Sequence, residues 1–218
     1  NTMGYLPQDS IKISNVTANA AEEEITSVEI NETNFPDAIF REYVKKDFDK
    51  DGDGVLSAEE IAAVTELNIE ACGISDLTGI EYFTDLAFLN CNKNNLTALD
   101  VSNNTALEQL YCTENKLSTL DLSKNTELIQ LLCSENQLTS LDLSNNPAST
   151  SFSCDDNKYK IALTNNTFDL STLPGGFDVS KASEWTNATV KGNILTVDDT
   201  SKEVTYKYGC GNKIAKKF

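Results

Sequence analysis

Residues 49 to 60 read Asp49-Lys-Asp51-Gly-Asp53-Gly54-Val55-Leu-Ser57-Ala-Glu59-Glu60. Carboxylates at the first, third and fifth places, a glycine at the sixth and a glutamate at the twelfth complete the pattern D-x-D-x-D-G-x5-E without insertion. The chemistry this spacing suits is the binding of a hard cation. Calcium takes six to eight oxygen ligands, and such a loop supplies three carboxylates, a backbone carbonyl, an often water-mediated contact and a bidentate glutamate. Those places fall on Asp49, Asp51, Asp53, the Val55 carbonyl, Ser57 and Glu60. Gly54 stands where the loop must turn through a left-handed conformation.

The flanks have the elements needed to hold such a loop. Asn34-Phe-Pro36-Asp37 supplies an N-cap and an early proline for a helix, and Phe40, Val44 and Phe48 then recur at helical spacing. Ser57 and Glu60 form a capping box for a second helix carrying Ile61 and Val64. Residues 31 to 66 thus resemble an EF-hand, which implies bound Ca2+. Dockerin modules share the loop but carry two, and here there is one. Residues 22 to 60 hold thirteen acidic and four basic side chains, a net charge of −9 that a cation would relieve. A lone loop suits a structural role better than a sensor's, so the expectation is a calcium-stabilised cap.

Downstream the chain is periodic. Cys91, Cys112, Cys133 and Cys154 stand 21 residues apart, and the lines LAFLNCNKNNLTALDVSNNTA, LEQLYCTENKLSTLDLSKNTE and LIQLLCSENQLTSLDLSNNPA align around the first three. They share L-x-x-L-x-C-x-x-N-x-L-x-x-L-D-L/V-S-x-N. So short a fixed period marks a solenoid, because one unit cannot bury its apolar side and must stack on its neighbours. The L-x-L alternation makes a short strand, paired in parallel with the next about 4.8 Å away. Asn94, Asn115, Asn136 and Asn157 follow the strands, where a side-chain amide can satisfy turn backbone.

These columns resemble the leucine-rich repeat family, with cysteine in the third apolar place. An earlier line from Val64 puts Ile69 in the cysteine column and Cys72 in the asparagine column, and its 22-residue step resembles internalin-type bacterial surface proteins. The resemblance spans residues 64 to 163, about five repeats. It implies a right-handed α/β solenoid with short parallel strands on the concave face, at the surface of a bacterium living without oxygen. The last line decays, with Ser149, Phe152 and Tyr159 in leucine places.

The column cysteines occupy a leucine position and are expected to be buried, reduced thiols. Neighbouring Cβ atoms in a parallel ladder stay about 5 Å apart, longer than the ~3.8 Å a disulfide prefers. Lys93, Glu114, Glu135 and Asp156 form a second charged column, expected to be solvated. Between the leucines, Phe88, Asn90, Gln109, Tyr111, Ile129, Gln130 and Leu132 should project from the concave sheet, where a contiguous apolar patch would suit a protein loop or a glycan.

The ends differ from the array. Residues 1 to 30 have no apolar run of the signal-peptide kind and are expected to form a partly disordered leader. From 164 to 218 the repeat stops. Two alternating stretches, Ala188–Val197 around Gly192-Asn193 and Glu203–Tyr208, predict a β-hairpin cap with Trp185 over the last repeat.

The 34 acidic against 17 basic residues give −17, which disfavours nucleic acid as a partner. The chain has no histidine, so histidine-based triads and dyads are absent, and no run of apolar residues long enough to span a membrane occurs. The expectation is a non-enzymatic, monomeric, extracellular or cell-surface binding module for a protein or glycan. The alternative is a spacer domain of a larger surface protein with no ligand of its own.

Overall fold

The computed structural model describes residues 27–147, 151–211 and 214–218. The expected leader lies largely outside them, as do Ser149 and Thr150. The described chain opens with β1 (Ser27–Glu29), α1 (Ala38–Asp47), β2 (Val55–Ser57) and α2 (Ala58–Ala62). Helix α1 starts at Asp37, whose Oδ1 accepts the N–H groups of Ile39 and Phe40 at 2.9 and 3.0 Å. Its inner face buries Phe40 and Val44. Ser57 and Glu60 form both halves of the capping box that begins α2. That helix stops at Ala62, so Val64 follows it, still buried at 3% exposure.

This segment packs on the start of the repeats. Phe35 meets Phe40 and Tyr82, both at 5.8 Å between ring centroids, and Phe48 meets Phe83 edge-on at 5.4 Å. The close fit requires Gly79. It has a φ of 107°, and a Cβ there would lie 2.3 Å from the Phe35 ring. Tyr43 donates its hydroxyl to the Asn68 carbonyl at 3.2 Å.

The period of the sequence then becomes a stack. Strands β3 (Glu66–Asn68), β4 (Phe88–Asn90), β5 (Gln109–Tyr111), β6 (Gln130–Leu132) and β7 (Ser151–Ser153) form one parallel sheet in chain order. Their middle residues Leu67, Leu89, Leu110, Leu131 and Phe152 lie in register. The four leucines are completely buried. Burying each contributes roughly 1.5–3 kcal/mol. Between strands the chain returns through turns, with a single-turn 3-10 helix at Ile80–Tyr82. The α/β expectation is therefore corrected: the repeats form a β-solenoid, and α1 and α2 lie outside them. Leucines close together in the return arm have no run at helical spacing long enough to propagate a helix.

Two asparagine ladders bind the stack. The Asn115 amide donates to the Cys91 and Cys112 carbonyls at 2.9 and 3.1 Å, while its Oδ1 accepts from Leu96 N at 3.0 Å. Asn136 repeats this one rung on. The second ladder, at the last asparagine of the consensus, runs through Asn104, Asn125 and Asn146. Asn125 donates to the Val101 and Asn104 carbonyls, both at 2.9 Å.

Strands β8 (Thr167–Asp169), β9 (Ala182–Thr186), β10 (Ala188–Lys191), β11 (Ile194–Val197), β12 (Thr205–Gly211) and β13 (Ile214–Lys217) complete the described chain. They make two three-stranded antiparallel sheets, β10-β11-β8 and β13-β12-β9, more than the hairpin that two alternating stretches suggest. Trp185 stacks on Tyr206 at 4.5 Å, and the Tyr206 hydroxyl donates to the Thr139 carbonyl. Lys216 lies 5.0 Å from the centroid of the Phe152 ring. A cleft of about 660 Å³ remains between these sheets and the last repeat. Tyr159, in a leucine column, is 39% exposed on its wall because no further repeat covers it.

Candidate binding face and calcium loop

In the loop between α1 and α2, carboxylate oxygens of Asp49, Asp51 and Asp53 converge within 4.8 Å of one another. The backbone arranges this. Asp49 is 6% exposed, and its two oxygens accept from Gly52 N at 2.8 Å and Gly54 N at 3.0 Å. Asp53 accepts from Val55 N at 2.8 Å. Gly54 has a φ of 86°, the left-handed turn the motif requires. Glu60 reaches back across the loop: Oε1 accepts from Lys50 N at 2.6 Å, and Oε2 from Ser57 N and Oγ, both at 2.9 Å. Backbone N–H groups of Ser57 and Lys50 hold its carboxyl below the usual range. A donor set made only of hard oxygens, with three converged like charges, fits a calcium-sized dication.

A partner for this loop escaped sequence reasoning. Strand β1 pairs antiparallel with β2, setting Val28 opposite Leu56. Three residues are too few to carry a periodic signal. Val28 at 6% exposure, between exposed Ser27 and Glu29, is its only trace.

The concave residues fall into two rows. Phe88, Gln109 and Gln130 are in register, and so are Asn90, Tyr111 and Leu132. Phe88 and Tyr111 meet edge to face at 5.2 Å. The Tyr111 hydroxyl sits 3.0 Å from Gln109 Oε1 and 2.8 Å from Gln130 Oε1, bridging two strands. Phe88, Tyr111 and Leu132 are half-buried, and Ile129, just before β6, is 39% exposed. Asn90 differs: it is only 8% exposed, with its amide on Glu70 Oε2 at 3.3 Å and its Oδ1 accepting from Asn92 N. It is a structural member of the face.

The charged column has a backbone cause. Lys93, Glu114, Glu135 and Asp156 have φ of 55°, 57°, 53° and 57°, and Ala71 continues them at 56°. Each stands three residues beyond the end of its strand in the left-handed region, while ladder bonds continue: Glu114 N donates to the Ser134 carbonyl at 3.1 Å and Glu135 N to that of Asp155 at 2.9 Å. Lys93 pairs with Glu70 at 3.1 Å.

The four column cysteines and Cys210 are free and buried. Burial pushes the Cys91 thiol up to about 12 and the Cys210 thiol up to about 11. Neutral thiols of this kind act as small hydrophobes.

The fold and its columns define an internalin-like leucine-rich repeat solenoid. Over 71 residues, 33% of this chain, it is 41% identical to Internalin J of Listeria monocytogenes serotype 4b (strain F2365). The solved functional domain of InlJ from Listeria monocytogenes, which includes a cysteine ladder, matches 60% of this chain at 40% identity and a TM-score of 0.56. An internalin InlF structure from Listeria monocytogenes strain 4b F2365 matches 62% at 25% identity and a TM-score of 0.50. The chain spans 8% of the Internalin J sequence, 29% of the InlJ structure and 47% of the InlF structure. No family model matches it. Among the described residues, no helix is long and apolar enough to cross a membrane.

Proposed function

We propose that this chain is an extracellular or cell-surface binding module that recognises a protein or glycan through its concave sheet. The observation that carries the reading is the patch of Phe88, Tyr111 and Leu132 on adjacent strands, with exposed Ile129 just before the last of them, beside the Tyr111–Gln109–Gln130 polar cluster. Aromatic anchors with nearby hydrogen-bonding groups are what a recognition surface needs. The likeness to internalin repeats supports a location outside the cell.

Calcium in the loop of Asp49, Asp51, Asp53, the Val55 carbonyl, Ser57 and Glu60 would stabilise the helix–loop–helix, which seals the first repeat through Phe35 and Phe48. The two C-terminal sheets seal the other end. Arrays of this kind require both ends covered. The reading is non-enzymatic, since the buried thiols are protonated and the chain lacks histidine.

The test is binding of the chain, in calcium, to arrayed extracellular proteins and glycans, beside a Phe88→Gln/Tyr111→Gln/Leu132→Gln variant. A partner lost in the variant supports the reading. Silence across the array, or partners indifferent to the substitutions, favours a spacer domain.

A further inference from the structure

We infer that the partner of the concave face is a protein surface with an apolar side chain bordered by lysine or arginine. This rests on the concave-face reading above and narrows it. The apolar spot is small and its border is acidic. Glu66 and Glu108 lie at or just before the strand starts, and Glu70, Glu114, Glu135 and Asp156 lie beyond the strand ends. Lys93 is a cation in that border, engaged by Glu70 at 3.1 Å, and Lys158 near Asp156 is engaged by Glu203 at 2.9 Å. Among the described residues, Glu108, Glu114, Glu135 and Asp156 make no ion pair.

The backbone fixes where these acids stand. Left-handed φ values at Glu114, Glu135 and Asp156, with the ladder bonds from Glu114 N and Glu135 N, set the backbone at these positions one strand spacing apart, about 4.8 Å. Glu70 ties the border to the patch, because the same carboxylate that holds Lys93 also accepts from Asn90, in the row of Tyr111 and Leu132. The Lys93 ammonium is held above its usual range by Glu70 first and then by Glu114 and Glu135, so these acids act on one place.

Like charges carried in a column on that backbone spacing repel one another, and an approaching cation relieves this more than solvent alone does. A neutral glycan could donate hydroxyls to the border but would gain no charge complementarity from it, and an anionic one would be repelled. A basic partner with an apolar anchor satisfies both parts: the patch holds the anchor, and the border speeds encounter and excludes acidic competitors.

The experiment pans a random-peptide phage library, in calcium, on the full chain, on the Phe88/Tyr111/Leu132→Gln variant and on a Glu114→Gln/Glu135→Gln variant. Each protein's melting temperature is recorded. The expected peptides pair an aromatic or large aliphatic residue with lysine or arginine. They should be lost on the patch variant and bind the border variant about tenfold more weakly, mainly through slower association that salt also suppresses. Peptides that need the patch but show no basic bias, or bind the border variant equally, overturn this inference and leave the concave-face reading intact. Peptides indifferent to both variants overturn both. No peptide recovered at the patch, with a glycan of the array above lost on the patch variant, overturns the inference alone.

Discussion

One carboxylate oxygen of Asp37 accepts the backbone N–H of Ser75 at 2.9 Å, while the other caps α1. Through this side chain the start of the helix is fastened to a turn of the solenoid 38 residues away. Asp37→Ala removes the cap and leaves the N–H groups of Ile39, Phe40 and Ser75 without their acceptor. The expected loss is about 1–2 kcal/mol by urea denaturation, with Asp37→Asn recovering part of it.

The same residue gives a pH signature. Burial raises the Asp37 pKa, but the N–H groups of Ser75, Phe40, Ile39 and Asp76 outweigh it and hold the carboxyl below its usual 3.8. A depressed folded value means the stabilisation is complete above the unfolded pKa and is lost as pH falls through the folded one. The stability gap between wild type and Asp37→Ala is therefore flat from neutral pH to about 5 and closes below about 3.8. A gap that persists at strongly acid pH would contradict this assignment.

Calcium removal should loosen the N-terminal segment. With calcium a hundredfold above its dissociation constant, binding adds about 2.7 kcal/mol, or a rise of roughly 5–10 °C in melting temperature for a chain of this size. Melting in calcium and in EGTA measures it, and Asp49→Ala should melt alike in both. Equal melting of the wild type with and without calcium would remove the loop from the account.

The Asn115 side chain serves two carbonyls and one N–H inside the stack. Asn115→Ala leaves the buried Leu96 N–H without its acceptor and takes one of two amide donors from the Cys91 and Cys112 carbonyls, which keep Asn94 and Asn136, for an expected cost of about 1–3 kcal/mol. Asn95→Ala, at an exposed neighbouring position, should stay within about 0.5 kcal/mol. Comparable losses in the two variants would deny the ladder its role.

Thiol titration reads the cysteine column. In the native protein at mildly alkaline pH only Cys72, which is half-exposed, should react readily with a disulfide reagent. Unfolding should release all six thiols. Rapid native reaction of several equivalents would contradict the burial of Cys91, Cys112, Cys133 and Cys154.

The solenoid was legible because its period repeats every contact: Leu89, Leu110 and Leu131 stand in one column of the sequence and one row of the core. The acid column was visible, but not its backbone cause. Glutamate and lysine adopt a left-handed φ without announcing it, as glycine would. Asn90 looked like a face residue because strand alternation assigns a side, not the neighbours that cover it. In the C-terminal region β10 and β11 were legible from alternation around Gly192-Asn193. Strands β9 and β13 were not, since the tertiary pairing with β12 defines them.

The most direct measurement is the affinity of wild type and the Phe88→Gln/Tyr111→Gln/Leu132→Gln variant for the first partner found on the array, taken beside both melting temperatures. The account predicts that affinity falls about a hundredfold or more, the scale of a lost aromatic anchor, while melting changes by only a few degrees. Unchanged affinity would contradict it, and so would a loss of binding that merely follows unfolding.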